Sequence, residues 1–126
     1  MNVEEYREYC ISKLGVTEGF PFNESVLVFK VMNKMFALCD IDKYDGINLK
    51  CEPERALELR EQHPGIIPGY HMNKQLWNTV STDGSISDEH FKELIDDSYD
   101  LIVVSLPKRD REALKKQKYF PKAPCP

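Results

Sequence analysis

The sequence predicts an α+β domain: two layers, with an antiparallel sheet of about five strands and helices packed on one of its faces. Three observations predict it. Segments between residues 25 and 51 alternate apolar and polar side chains and are joined by short polar turns, so neighbouring strands pair as hairpins. Apolar residues at helical spacing lie near both ends of the chain and once between strands, instead of alternating strictly with them. A chain of 126 residues is long enough for one buried core and short for two.

Each element follows from local chemistry. Residues 2–14 form a first helix: Val3, Tyr6, Cys10 and Leu14 share a face, Asn2 is its N-cap, Glu4 and Glu5 favour its first turn, and Gly15 ends it. Residues 16–24 are expected as a loop punctuated by Gly19 and Pro21, with Phe20 and Phe22 pinning it to the core. Ser25 to Met32 is a strand with Val26, Val28 and Lys30 on one face and Leu27, Phe29 and Val31 on the other. Asn33-Lys34 is a hairpin turn, and Met35 to Asp40 is the returning strand. After the Asp45-Gly46 turn, Ile47 to Cys51 is a third strand, with Lys50 opposite Ile47, Leu49 and Cys51. Pro53 opens a helix, where its missing N–H costs nothing, and His63-Pro64-Gly65 stops it after Gln62.

Ile66-Ile67 and Leu76 to Val80 are two more strand segments. A long helix starts near Ser87, with Phe91, Leu94, Ile95, Tyr99, Ile102 and Leu106 as its stripe. A basic helix covers about 107–118. The expected organisation is a single domain over 1–118 and an extended or disordered tail over 119–126, which holds three prolines.

Composition narrows the function classes. No apolar run approaches the roughly 20 residues of a membrane span. The acidic start, Met1-Asn2-Val3-Glu4-Glu5, lacks the basic and then apolar pattern of a signal peptide, so the expected location is the cytoplasm. Cys10, Cys39, Cys51 and Cys125 form no CxxC pair, and His63, His71 and His90 supply no closely spaced ligand pair, so no metal is expected. No nucleophile motif or phosphate loop appears, so the expectation is a non-catalytic protein without a cofactor. Charge is uneven: residues 1–106 hold 10 Lys and Arg against 19 Asp and Glu, whereas residues 107–126 hold 7 against 2. The acidic body repels DNA unless a local basic patch outweighs it.

The stretch from Ile66 to Val80 departs most from simple periodicity. It holds the only Trp and a Pro-Gly turn, with His71, Asn73 and Lys74 between Tyr70 and Trp77 and Asn78 directly after Trp77. Aromatic faces beside amide and cationic groups suit a recognition surface. The same residues also suit a turn leading into a half-buried strand, with Trp77 as a core anchor tying the sheet to the helices.

The chain resembles the MmcQ/YjbR family of small bacterial proteins. The match runs through Phe29-Lys30-Val31, Met35-Phe36-Ala37-Leu38, Ile47-Asn48-Leu49-Lys50-Cys51, Pro53-Glu54-Arg55-Ala56 and Leu59-Arg60-Glu61. Its most specific part is Pro64-Gly65-Ile66-Ile67-Pro68-Gly69-Tyr70-His71-Met72-Asn73-Lys74 with Trp77-Asn78-Thr79-Val80; it closes on Ser98-Tyr99-Asp100-Leu101. The resemblance implies a CyaY-like, frataxin-type sandwich and DNA binding through a double-wing motif. Such a reader uses hairpin edges and turns, here Lys30, Asn33, Lys34, Asn48, Lys50, Tyr70, His71, Asn73, Lys74, Trp77 and Asn78. Lys would meet phosphates, Asn base edges, and Trp77 or Tyr70 would stack on unpaired bases. Asn48 and Asn78 equally suit satisfaction of backbone groups, and Lys on a solvated sheet face is ordinary.

Two other readings stand beside it. One is a protein- or small-ligand-interaction module with an acidic helix face, built from Glu4, Glu5 and Glu8 and from Asp96, Asp97 and Asp100. The other is an acid–base site at His71 near Asn73, Lys74 and Tyr70, with Lys50 or Arg55, for which no further machinery is visible. The expected state is a monomer.

Overall fold

The computed structural model describes residues 1–70 and 72–119. The order is α1 (Val3–Ile11), β1 (Val16–Gly19), β2 (Val26–Val31), β3 (Lys34–Asp40), β4 (Gly46–Lys50), α2 (Pro53–Gln62), β5 (Ile66–Pro68), β6 (Trp77–Ser81), α3 (Asp88–Ser105) and α4 (Lys108–Tyr119). The strands form one six-stranded antiparallel sheet in the order β1-β2-β3-β4-β6-β5. The architecture is the expected α+β one, with one more strand. β1 occupies part of the segment expected to be a loop: Val16 to Gly19 pair with Val31 to Val28 as an edge strand. The expected tail falls largely on residues 120–126, which lie outside the described residues.

Local signals set the helix ends. Asn2 accepts from Glu5 N and Glu5 accepts from Asn2 N, a reciprocal capping box at α1. Ser87 caps α3 through His90 N, and Pro53 opens α2. The β2–β3 turn sits one residue earlier than expected, at Met32 and Asn33, both with positive φ (48° and 72°). That pair of left-handed residues is what a two-residue hairpin turn requires.

All four helices contribute to one buried cluster on one face of the sheet. It joins Tyr6 and Cys10 of α1, Ala56 and Leu59 of α2, Phe91, Leu94, Ile95 and Ile102 of α3, and Leu114 of α4 to Leu27, Phe29, Val31, Cys39, Ile47, Leu49 and Val80 of the strands. Tyr6 meets Phe29 edge-to-face at 5.5 Å, and Phe36 meets Tyr99 likewise at 5.4 Å. A bulge places the register at Phe29↔Ala37 and then Lys30↔Met35, so both Phe36 and Ala37 enter the core while Lys30 and Met35 turn to the other face. Buried Ser98 donates to Phe36 O at 2.6 Å and accepts from Lys50 N at 2.9 Å, bridging β3 and β4 beyond the last pair of their ladder, Ala37↔Leu49. Burial pushes the Tyr6 phenol and the Cys10 thiol upward and the Cys39 thiol to about 12, so these thiols are inert core groups.

The opposite face carries a small second cluster: Val28, Leu38 and Trp77, with Val26, Met35, Met72 and Leu76 against it. Two expectations need correction here. Trp77 is buried, 8% exposed, but beneath the 69–76 connection on the side away from the helices, so it ties that connection to the sheet and not the sheet to the helices. Phe20 and Phe22, expected to pin their loop to the core, are 47% and 63% exposed, because Gly19 ends β1 and the chain leaves the sheet edge there.

Candidate nucleic-acid interface

Antiparallel pairing decides which candidate residues meet. β2, β4 and β5 all run toward one end of the sheet, and β3 and β6 start from it. The β2–β3 turn and the 69–76 connection therefore lie at the same end. Lys30 near the end of β2, Lys34 at the start of β3, Lys50 at the end of β4, and Tyr70, Asn73 and Lys74 of the connection are gathered there. α4 packs beside this end: Leu114 is in the core, and a Cβ built on Gly15 would lie 2.5 Å from Leu114 Cδ1 and 3.5 Å from Met32 Sδ. Lys108, Arg109, Arg111, Lys115 and Lys116 of α4 are exposed. The far end of the sheet instead carries Glu24, Asp40, Asp42, Asp45 and Asp83, with Lys43.

The helix layer is the acidic part of the molecule. α1, α2 and α3 together hold twelve acidic side chains (Glu4, Glu5, Glu8; Glu54, Glu58, Glu61; Asp88, Glu89, Glu93, Asp96, Asp97, Asp100) against four basic ones, Arg7, Arg55, Arg60 and Lys92. The strands hold Lys30, Lys34 and Lys50 against Glu18 and Asp40. The overall charge of −4 thus conceals a cationic end on an acidic body.

The four lysines differ in freedom. Lys30 and Lys50 are half-buried on the open face, and their ammonium groups make no hydrogen bond or ion pair among the described residues. Lys34 Nζ reaches Ser105 O at 3.5 Å, at the C-terminal end of α3, which places it on the helix side of the turn. Lys74 Nζ donates to Gly69 O at 3.2 Å and stays exposed. Tyr70 presents its ring at 67% exposure, and Asn73 is exposed with its Oδ1 taken by Gln75 N. His71 lies outside the described residues.

Three candidates are structural. Asn78 is 3% exposed on the helix side; its Oδ1 accepts from Arg60 Nε at 2.7 Å and its Nδ2 reaches Ala56 O at 3.5 Å. Arg60 also donates to the carbonyls of Trp77 and Lys74, so one guanidinium clamps both the strand start and the connection. Asn48 accepts from Thr79 Oγ1 at 2.5 Å and reaches Tyr70 O at 3.4 Å, while Thr79 Oγ1 accepts from Tyr70 N at 3.0 Å. These bonds bind the 69–76 connection to the sheet and leave neither amide for a base edge. Trp77, covered by Met72 and Leu76, presents no ring face for stacking. Gly69 makes the cover possible: a Cβ there would lie 2.9 Å from Trp77 Cβ and 3.0 Å from Trp77 O.

A second concave region lies on the helix side. Glu52, Arg55, Glu93, Asp96, Asp97 and Asp100, over Cys51, Leu101 and Val104, line a groove of about 640 Å³ between α2 and α3. Arg55 approaches Asp97 at 3.8 Å. Partial burial, and to a lesser degree neighbouring Asp100, Glu93 and Asp96, push the Asp97 carboxyl upward against the pull of Arg55. Among the described residues no group of three or more His, Cys, Asp or Glu is arranged to hold a metal ion. No described helix is long and apolar enough to cross a membrane.

Comparison with known proteins gives a consistent answer. The family model described as YjbR matches residues 11–101. The Escherichia coli K12 protein described as uncharacterised protein YjbR is 34% identical over 115 residues, covering 90% of this chain and 98% of the relative. The Escherichia coli O157:H7 protein YbdF is 38% identical over 97 residues, covering 76% of this chain and 80% of the relative. The crystal structure of Deinococcus radiodurans protein DR2400, with a DUF419 domain, superposes with a TM-score of 0.84 at 40% identity over 90% of this chain and 88% of that one. A Pseudomonas syringae crystal structure gives 0.69 at 32% identity, over 80% and 98%.

Proposed function

The chain belongs to the YjbR family, and we propose that it is a non-catalytic DNA-binding protein whose contact surface is the cationic end of the sheet. One observation carries the reading. Two hairpin ends, those of β2–β3 and β5–β6, emerge at the same end of the sheet with the end of β4 between them, and bring Lys30, Lys34, Lys50 and Lys74 to the side of the basic α4, while most of the acids lie on α1 to α3 and at the far end; Glu52, Asp110 and Glu112 are the acids near the cationic end. Two hairpin ends projecting from one end of a sheet are what a double-wing reader uses. Lys30, Lys50 and Lys74 serve as phosphate contacts, and Tyr70 and Asn73 at the connection are the side chains placed to reach beyond the backbone. The set is smaller than the sequence alone suggests, because Asn48, Trp77 and Asn78 hold the connection in place.

The test is a titration of the full chain with a short duplex and with its separated strands at two salt concentrations. Binding weakens as salt rises, and each phosphate-contacting Lys removed flattens the log–log slope by about 0.9 on a duplex. Absence of binding to either form at low salt rejects the reading.

The α2–α3 groove favours one alternative, a protein-interaction module that takes a basic segment of a partner. In that case a lysine-rich peptide binds the chain, Asp96→Asn with Asp100→Asn abolishes that binding, and Lys50→Ala with Lys74→Ala leaves it unchanged.

A further inference from the structure

Beside the cationic end, the open face contains a cleft that the two hairpin ends do not account for. It has a volume of about 350 Å³, at the lower end of the range of small-ligand sites. Edge strand β1 and its following loop form one wall, through Thr17, Glu18, Gly19, Phe20 and Pro21; Val28, Lys30 and Asn33 of the β2–β3 hairpin form the other. The register Thr17↔Lys30 and Gly19↔Val28 runs it along the edge of the sheet, with Lys30 opposite Thr17 toward the cationic end and Phe20 three residues beyond Thr17, roughly 10 Å along the strand direction.

Its chemistry is mixed in a specific way. Val28 is an apolar floor. Phe20 offers a ring that no core contact consumes. The Lys30 ammonium is half-buried and has no partner among the described residues, while the Asn33 amide sits on an exposed turn. The one acid of the lining, Glu18, is neutralised by a two-bond ion pair with Arg7 of α1. A flat apolar face, a floor and a long-armed cation about three strand residues along the same cleft fit a planar base with a phosphate of its own backbone.

We propose that this cleft takes one unpaired nucleobase of a single strand, stacked on Phe20, with the adjoining phosphate on Lys30. The inference rests on the nucleic-acid reading above and deepens it by naming the form of the ligand. A base held in a duplex cannot enter a cleft along a sheet edge, so the cleft discriminates in favour of single strands, and stacking makes it tolerant of sequence.

The experiment compares an oligodeoxythymidylate with its duplex with oligodeoxyadenylate, titrated at low salt against the wild-type chain, Phe20→Ala, Phe20→Leu and Lys74→Ala. Phe20 is half exposed on a loop, so both variants keep the fold, which unchanged melting verifies. Loss of one stacked base weakens single-strand binding by roughly tenfold in Phe20→Ala, and Phe20→Leu does not rescue it. Duplex binding by Phe20→Ala stays within about twofold of wild type, whereas Lys74→Ala weakens both forms. Wild-type binding to both forms with no effect of Phe20→Ala overturns the cleft assignment and leaves the nucleic-acid reading standing. Equal loss on both forms also overturns it, since Phe20 is then a general contact. Binding of neither form by the wild-type chain overturns both readings, and the exposed Phe20–Phe22 loop is then a protein-contact surface.

Discussion

On the helix side of the sheet, twenty-one described residues form one continuous buried cluster; on the other side three do, Val28, Leu38 and Trp77, closed over by the 69–76 connection. Two buried polar side chains on the helix side, Ser98 and Asn78, make hydrogen bonds that cross between elements, while the buried Tyr6 hydroxyl makes none among the described residues. The open face instead carries Lys30 and Lys50, whose ammonium groups have no partner among the described residues, and a surface network around Thr79. Stability is thus concentrated on one face and unspent polar chemistry on the other. A protein arranged in this way can change its contact residues with little effect on folding, and the two kinds of substitution should separate experimentally.

The largest effect tests the helix side. Phe29→Ala removes a fully buried ring that packs edge-to-face on Tyr6 and should cost about 3–5 kcal/mol in denaturant unfolding. That is a large share of the roughly 5–15 kcal/mol available to a domain of this size. Trp77→Ala sharpens the contrast. It should cost about 3 kcal/mol, the low end for such a truncation, because the cluster it leaves is small and lies close to the surface, where it can collapse. Amide exchange should accelerate at residues 69–76 and remain slow in α3. Global loss of protection equal to that of Phe29→Ala would show that the two clusters act as one core.

The next effect concerns the clamp between the faces. Arg60→Ala leaves the Asn78 carbonyl oxygen buried without its donor and frees the carbonyls of Lys74 and Trp77. A cost of about 1–3 kcal/mol is expected, and Arg60→Lys should recover only part of it, because one ammonium cannot repeat the guanidinium fork. Full recovery by Lys would show that charge and not geometry holds the connection.

Much of the fold was legible because local signals and burial agreed. α2 spans Pro53 to Gln62 as read, since Pro53 and the His63-Pro64-Gly65 stop act locally. The alternation of β2 was read correctly because a period of two is visible in six residues. β1 was not legible: four residues ending in Gly become a strand only by pairing with β2, which is a tertiary event. The side of the sheet taken by Trp77 depends on register, and one residue of slip reverses it. The roles of Asn48 and Asn78 depend on partners far away in sequence: Thr79 for the first, and the α2 residues Arg60 and Ala56 for the second. Residue type alone therefore suggested contacts where the structure has brackets. The position of Lys30, Lys34, Lys50 and Lys74 at one end of the sheet follows from strand direction, which composition does not contain.

Substitutions on the open face should affect binding and spare folding. Lys50→Ala with Lys74→Ala should shift unfolding by less than about 0.5 kcal/mol, since neither ammonium has an acidic partner among the described residues. The same pair should flatten the salt dependence of duplex binding by roughly two contacts' worth of slope. A destabilisation comparable to that of Arg60→Ala would place these lysines in the structural set and break the division between the faces.

The smallest effect probes the acidic helix layer through pH. The Asp97 carboxyl is pushed upward, first by burial and then by Asp100, Glu93 and Asp96, with Arg55 opposing. A native state that holds this proton more tightly than the unfolded chain loses stability as pH rises from the ordinary Asp range through the raised native value, and the penalty is fully present above it. Asp97→Asn removes the penalty, but Asp97 is 49% exposed, so solvent screening keeps the gain below about 0.5 kcal/mol at neutral pH. The gain should vanish below the ordinary Asp range, where wild type and variant are both neutral at this position. Paired melting curves at neutral and acid pH measure the difference directly. A variant less stable than wild type at neutral pH, and equal to it in acid, would mean that the Arg55 pair outweighs the repulsion. The helix layer would then be held together by its charges, and the acidic face would belong to the structural side of the comparison in charge as well as in packing.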